Sequence, residues 1–305
     1  MDLLVIYFIT VNYHSTDLVK QLLKSVYTTI EDYQFLIINN SPEDDSINEV
    51  LQLELSATII NTKRNIGFGA ACNLGIQQVY SLNPQAIIWL INPDVVLEEN
   101  ADSYVQECLN QEPSIAILGT RVRDLDGNIW FGLGTFNPWT GSLKHELKKE
   151  EGYEPQANTI NCRWVSGCSL ILNLKQFDHC PSFDPHYFLY YEDADLCERY
   201  RQKGYRIAVT QSVLVTHAVS AISKRNLSTQ FKHATYSKLY FLKQHGTALA
   251  LWLNLIYMVV LVGWLFRQNR PVAIGRWQGL KNFIDWQISK ETYLKSRESG
   301  VGSRE

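Results

Sequence analysis

The sequence predicts an α/β fold: a mainly parallel sheet with flanking helices, followed by a helical C-terminal extension. Three observations carry that expectation. Short apolar runs alternate with segments of helical periodicity over residues 1–122, the pattern of successive strand–helix–strand units. The runs are apolar along their whole length, as strands covered on both faces are. A polar segment follows each of the first four runs, and sheets of this kind bind ligands beyond the carboxyl ends of their strands.

Taken in order, the expected strands are 3–11, 35–39, 58–61, 86–91 and 115–122, and the helices between them are 17–27, 47–53, 70–81 and 101–111. The first strand ends in Val11-Asn12-Tyr13 and the second in Asn39-Asn40-Ser41. The third leads into Arg64-Asn65-Ile66-Gly67-Phe68-Gly69, and the fourth ends in Asn92-Pro93-Asp94. Asn, Ser, Gly and Pro are ordinary turn residues, so any one of these loops alone says little. Four on one predicted edge point to a shared ligand site. Further on, Asp126-Gly127 is a tight-turn signal before Ile129-Trp130-Phe131. Residues 132–161 form a long polar connection that includes the charged run HELKKEE. Two more strands are expected at 163–172 and 207–215, the second running into Thr216-His217.

Composition narrows the function. The chain has 305 residues, 46% of them hydrophobic, enough for a substantial core. Its net charge is -3 with no strongly basic block, which argues against nucleic acid as a partner. The six cysteines are scattered without a CxxC pair, so zinc-site spacing is absent, and reduced cytosolic thiols are expected. The apolar start, MDLLVIYFITVNY, is preceded by an acid rather than a basic segment and reads as a buried first strand, not a signal peptide.

Several residues are candidates for chemistry. Pro93 cannot continue a central ladder, so the fourth strand stops there and holds Asp94 on a stiff turn near the sheet edge. A carboxylate so placed suits a hard divalent cation that also takes phosphate oxygens; the alternative is a turn Asp that caps the next segment. In FLYYEDADLCERYRQKGY, residues 188–205, three carboxylates follow an aromatic run. A helix starting near Asp193 puts Asp193, Leu196, Cys197 and Tyr200 on one inward face. Glu192, Asp195 and Arg199 then lie on another, where ion pairing suffices, and Asp195 with Glu198 fits a capping box. His217 stands at a strand end, although a lone His is usually packed or solvated; His233 and His245 take that bland reading. GFGAACNLG fails as a dinucleotide fingerprint, because Cys72 stands where a glycine is needed.

Asn12-Tyr13, NNS at 39–41, NIGFGAACNLG at 65–75, NPD at 92–94, VSGCSL at 165–170 and FLYYEDADLCERYRQKGY together resemble family 2 glycosyltransferases of the GT-A fold, a Rossmann-like sheet, and most nearly their rhamnosyltransferase-like branch. The resemblance covers about the first 220 residues. It implies a GT-A catalytic domain over 1–222, with a nucleotide-sugar part at 1–122 and an acceptor part at 123–222, ahead of a helical region at 223–305. Asn12, Tyr13, Asn39, Arg64, Asn65, Gly67, Asn92 and Asp94 would bind the nucleotide-sugar. Asn12 and Asn39 would line the nucleobase pocket, where many members have Asp at the position of Asn39. Gly67 would let backbone come close to the nucleotide. NPD stands for the family's Asp-x-Asp, leaving Asp94 as the metal carboxylate and Asn92 as the departure. His217 would join Asp94 in holding a divalent metal, Mg2+ or Mn2+. Trp164, Ser166 and Gly167 would form the floor under donor sugar and acceptor, with Tyr187, Phe188, Tyr190 and Tyr191 available for sugar stacking or for packing.

Asp193 would be the general base, with Glu192 beside it. The implied reaction is a single displacement, which inverts the anomeric centre as a nucleoside diphosphate leaves. The donor would be dTDP-rhamnose or a UDP-sugar, and the acceptor a lipid-linked glycan or a polysaccharide. A catalytically silent nucleotide-sugar or glycan-binding protein is the alternative of a different class. Segment 248–266 is free of charge and long enough to span a bilayer. The arginines that follow it favour a segment lying on the cytoplasmic face of the membrane, with Trp252, Tyr257, Trp264 and Trp277 at the interface. A buried helix or a homo-oligomer contact is the other use of that segment.

Overall fold

A computed structural model of the chain describes residues 5–30, 33–53, 57–146, 158–218 and 226–301. The first two residues of the expected opening strand, residues 147–151 of the charged run and the boundary at 222–223 lie outside them. Two compact units emerge: Met1–Phe136 with Ser142–Ile222, and Asn137–Gly141 with Ser223–Glu305.

The first unit opens with β1 (Ile6–Asn12), α1 (Thr16–Thr29), β2 (Tyr33–Asn39), a 3-10 turn at Asp45–Leu53, β3 (Ala57–Asn61), α2 (Phe68–Leu82), β4 (Ile87–Ile91) and β5 (Val95–Leu97). Then come α3 (Ala101–Gln111), β6 (Ile115–Arg123), β7 (Ile129–Phe131), β8 (Leu133–Asn137), β9 (Ser142–Glu146), β10 (Thr159–Asn161), β11 (Ser169–Asn173), α4 (Glu192–Gln202) and β12 (Arg206–His217). Its main sheet runs β10-β12-β6-β11-β4-β1-β2-β3, with β5 pairing β12 and β7 pairing β6. The strands β3, β2, β1 and β4 are parallel, so their carboxyl ends share one edge. β11 enters antiparallel between β4 and β6.

The core sits where the runs are apolar throughout. β1 and β4 are buried at every position. Trp89 on β4 stacks on Phe8 with ring centroids 5.3 Å apart, and its indole N–H donates to Ser169 Oγ on β11 at 2.9 Å. That bond supplies the partner a buried indole needs. Three local expectations change. β3 is half-exposed, because it is the edge strand and has a neighbour on one side only. Residues 47–53 form a 3-10 turn rather than an α-helix. Of the strand expected at 163–172, only Ser169–Asn173 is extended in the sheet; the chain before it turns, with the Ser169 N–H donating to Ser166 O.

The second unit contains α5 (Leu227–His245), α6 (Ala248–Gln268) and α7 (Arg270–Val301). The side chains of Asn226 and Thr247 cap α5 and α6 by accepting the N–H groups of Thr229 and Ala250. α7 crosses α5 closely: a Cβ on Gly275 or Gly279 would fall 2.2 Å from Ser228 O or 2.3 Å from Lys232 O. Asn254, the polar residue of the apolar segment, donates to Thr140 O at 3.2 Å and Ala250 O at 2.8 Å. α6 is long and apolar enough to cross a membrane by length and composition.

Candidate active site

The polar residues at the carboxyl edge form two side-chain networks. Asn12, Asn39 and Asn61 end β1, β2 and β3, and the parallel register pairs Asn12 with Asn39 and Asn39 with Asn61. Their amides join across the strands: Asn12 Nδ2 donates to Asn39 Oδ1 at 3.0 Å, and Asn39 Nδ2 to Asn61 Oδ1 at 2.9 Å. Tyr13, the residue that follows β1, is 40% exposed. Asn40 anchors the second network. Its Oδ1 accepts from the Ile66 N–H, and its Nδ2 donates to Asn65 Oδ1 and to Gly67 O.

This second network shapes the glycine-rich loop. Asn65 Oδ1 also accepts the Gly67 N–H, and Gly67 adopts φ +86°. A side chain there is excluded twice, by that dihedral and by Phe188 O, 2.4 Å from a would-be Cβ. The backbone that comes close to Gly67 is therefore that of Phe188, whose carbonyl also accepts the Phe68 N–H. Asn73 on α2 adds a reciprocal pair with the Phe183 backbone, at 2.9 and 2.8 Å. Distant motifs, 65–73 and 183–188, are thus tied directly to one another. Arg64 is exposed and has no ion pair among the described residues.

Two antiparallel pairings gather the acidic and basic groups. β5 pairs with the end of β12, setting Val95 opposite His217. Asp94 and His217 are both buried, with His217 Nε2 3.1 Å from Asp94 Oδ1. His217 Nδ1 has no hydrogen-bond partner among the described residues, and the Trp130 ring packs edge-on against the imidazole at 4.7 Å. On the other side, the Asn92 N–H donates to Cys168 O, bringing the 166–168 turn beside the 92–94 turn. The Gly167 N–H then donates to Asp193 Oδ2 at 2.9 Å. Asp94 and Asp193, 99 positions apart (193 minus 94), flank the same short turn. Their charges both act on the Cys168 thiol, which burial above all pushes up to about 12.

α4 starts one residue before Asp193, after Tyr190 and Tyr191, which both take left-handed φ of 70° and 68°. Side chains rarely accept that conformation, and it is held here by the surrounding structure. Asp193 is half-buried and takes two N–H donors, from Gly167 and from Ala194 at 2.8 Å. Burial raises its carboxyl above the ordinary value, and those two N–H groups pull in the opposite direction. Glu192 is only 6% exposed, and its Oε2 has no partner among the described residues. Burial first, and then the Asp193 charge, push it up to about 8. The environments separate the two carboxyls: Asp193 ionises more readily, and Glu192 keeps its proton near neutral pH.

The other acids of α4 hold the fold together, but not from a solvated face. Asp195 and Glu198 are fully buried. Asp195 bonds Arg199 Nε at 2.6 Å and accepts from the Tyr187 hydroxyl. Glu198 takes a two-pronged bond from Arg163, at 2.6 and 2.9 Å, and another from Arg201. Burial works to raise Glu198, but these arginines hold it below its ordinary value. The capping box does not form, because the helix already begins at Glu192 and Asp195 lies inside it. Trp164 is buried, with its indole N–H shared between Thr135 O and Lys144 O at 3.2 Å each. Ser166 Oγ donates to Cys168 Sγ. All six cysteines are free thiols.

Asn61 and Trp130 are not among the residues that the sequence marks for a site. Trp130 carries no local signal, since only the sheet brings it to His217. Asn61 was recoverable by aligning the ends of the parallel strands.

An open sheet whose parallel strands end in amide, carboxylate and imidazole groups along one edge is the arrangement in which α/β proteins place their ligands, in the crevice beyond the strand ends. The model of Glycosyl transferase family 2 matches residues 7–172, and the chain belongs to that family. Its relatives include rhamnosyltransferases. The N-acetylglucosaminyl-diphospho-decaprenol L-rhamnosyltransferase of Mycobacterium tuberculosis (strain CDC 1551 / Oshkosh) is 27% identical over 207 residues, 60% of this chain and 65% of that protein. This alignment thus covers 65% of the length of that relative. Rhamnosyltransferase WbbL of Escherichia coli (strain K12) is 23% identical over 246 residues, 74% of this chain and 88% of the relative.

Solved structures share the fold. GalNAc-T7 with UDP, GalNAc and Mn2+ superposes with a TM-score of 0.58 at 13% identity, covering 76% of this chain and 48% of that one. The mannosyltransferase PcManGT of Pyrobaculum calidifontis, in complex with GDP-Man and Mn2+, gives 0.53 at 11%, covering 98% and 81%. The architecture is the GT-A fold.

Proposed function

We infer that this protein is an inverting glycosyltransferase that moves a sugar from a nucleoside-diphosphate donor to a hydroxyl of a lipid-linked or polysaccharide acceptor. The observation that carries the reading is the meeting of Asp193, the 166–168 turn and the Asp94–His217 pair. Asp193 is the general base. Its two N–H bonds hold the carboxylate still, and its raised affinity for a proton matches the task of taking one from an attacking hydroxyl. Glu192, protonated beside it, spares the site a second negative charge. One base and one displacement give inversion; a retaining route would need a second carboxylate on the opposite side of the sugar. Trp164, Ser166 and Gly167 form the floor beneath the reacting groups. Asn12, Tyr13, Asn39, Arg64, Asn65, Gly67 and Asn92 belong to the nucleotide side.

Asp94 and His217 fit a divalent cation, Mg2+ or Mn2+. Their facing atoms are 3.1 Å apart, and adjacent ligands of an octahedral ion with bonds of about 2.1 Å stand roughly 3 Å apart. Among the described residues no group of three or more such ligands gathers, so phosphate oxygens and water would complete the shell. Bound there, the cation would neutralise charge growing on the leaving diphosphate. The UDP and Mn2+ of GalNAc-T7 and the GDP-Man and Mn2+ of PcManGT are in keeping with such a site. The two named rhamnosyltransferases, one of them acting on a decaprenyl-linked compound by its name, favour dTDP-rhamnose as donor and a lipid-linked acceptor. α6 would rest on the inner membrane surface, which keeps the site in the cytoplasm with the nucleotide-sugar. Turnover of a panel of dTDP- and UDP-sugars, with products read by mass spectrometry, tests the whole assignment. Asp94→Ala and Asp193→Ala are each expected to cut the rate by about a hundredfold or more; full activity in both variants would end it.

A further inference from the structure

The asparagine ladder at the strand ends has a direction, and backbone donors set it. Asn12 Oδ1 accepts the Ser15 N–H at 3.0 Å, and Asn39 Oδ1 accepts the Ser41 N–H at 3.3 Å. A backbone N–H can only donate, so both amides must turn their oxygens toward these groups. Asn12 Nδ2 is thereby pointed at Asn39 Oδ1, and Asn39 Nδ2 at Asn61. Asn61 must answer with its own oxygen. What remains outward at the end of β3 is Asn61 Nδ2, on an exposed residue with no other partner among the described residues. Asn39, by contrast, is 2% exposed, and its Oδ1 takes bonds from Asn12, the Ser41 N–H and the Ser41 hydroxyl. Its amide is occupied inside the protein.

We propose that Asn61 is the base-reading residue of the donor site and that Asn39 acts on the base only through it, as a positioning residue. The inference rests on the nucleotide-binding reading above and sharpens it. An outward N–H donor selects an exocyclic carbonyl, as uracil and thymine carry, over the exocyclic amino group that cytosine offers at the same place. Two strand spacings of about 4.8 Å separate Asn61 from Asn12, a gap that a base lying against Tyr13 can close.

The ladder makes an unusual demand of Asn39→Asp. A carboxylate at 39 still accepts from Asn12, from both Ser41 donors and from Asn61, so the site stays satisfied. It cannot donate, however, so Asn61 must turn round and present its oxygen outward. The test is equilibrium binding of UDP, dTDP and CDP with Mg2+ to the full chain and to Asn61→Ala, Asn39→Asp and the double variant. Wild type is expected to favour UDP and dTDP over CDP by about tenfold or more. Asn61→Ala, an exposed change that leaves the core alone, is expected to erase that preference. Asn39→Asp is expected to erase or reverse it, and the double variant to match Asn61→Ala alone.

An unaltered preference in Asn61→Ala would overturn the proposal. So would an Asn39→Asp effect that persists once Asn61 is gone, since Asn39 would then touch the base itself. Wild type binding none of the three nucleotides would instead remove the nucleotide-binding reading and the ladder's role with it.

Discussion

Glu192 shows how one residue's surroundings become a property of the whole chain. Folding takes its carboxyl from an ordinary 4.5 up to about 8, through burial and the neighbouring Asp193 charge. The folded state therefore holds a proton that the unfolded chain has already released between those values. Its contribution to stability is fully present below about pH 4.5, declines as the pH rises through the window, and levels off above about pH 8. Glu192→Gln removes this slope. Thermal melts are expected to show the variant several degrees more stable than wild type at about pH 8.5 and nearly equal to it at about pH 4.5; equal melting at both would mean that Glu192 is ionised in the fold. The adjacent acids differ for a reason that their spacing alone could not reveal. Asp195 and Glu198 have arginines in reach, Asp193 has two N–H groups, and Glu192 Oε2 has no partner.

At the scale of elements, the loops after β3 and before α4 depend on each other. Gly67 opens α2 at a dihedral few side chains accept, with the Phe188 carbonyl where a methyl group would go. Gly67→Ala is expected to cost about 1–3 kcal/mol in urea unfolding. Because Phe188 leads into the two left-handed tyrosines and then Asp193, it should also lower turnover; unchanged stability and activity together would show that the contact is slack. The boundaries of β2, β3, α2 and α3 lay within two residues of the sequence expectation, because local apolar periodicity is what those segments obey. The 163–172 strand was overextended for the same reason. Arg163-Trp164-Val165 has strand-like composition, but its residues leave the sheet to meet Glu198 and the β8–β9 hairpin, contacts that no local pattern encodes.

For the molecule as a whole, the informative surface is in the second unit. α6 buries Ala250, Leu251, Met258 and Val262, while Trp252 and Val260 are 65% and 67% exposed and Ile256, Tyr257 and Trp264 are exposed with them. A large apolar face left in water is a liability unless something covers it. If the cover is the inner leaflet, vesicles containing anionic lipid should carry the protein down on sedimentation, and Trp252→Glu with Val260→Glu should release most of it without lowering the melting temperature. A double variant that sediments as well as wild type would leave an oligomer contact as the use of this face.

The order of strands and helices and the polar edge could be read from residues in a row, because apolar periodicity and strand-end loops are local properties; a stiff turn and a helix face drew attention to Asp94 and Asp193, while the roles expected of Asp193 and His217 came with the family resemblance. Their convergence is of another kind. It depends on β11 and β5 entering the sheet antiparallel, so that positions 94, 167, 193 and 217 come together through pairings between remote segments. The direction of the Asn12–Asn39–Asn61 ladder is likewise a matter of register and of which backbone N–H faces which amide. Short-range pattern chooses the pieces, but hydrogen bonds between distant strands choose their neighbours, and the chemistry of this edge lies in the neighbours.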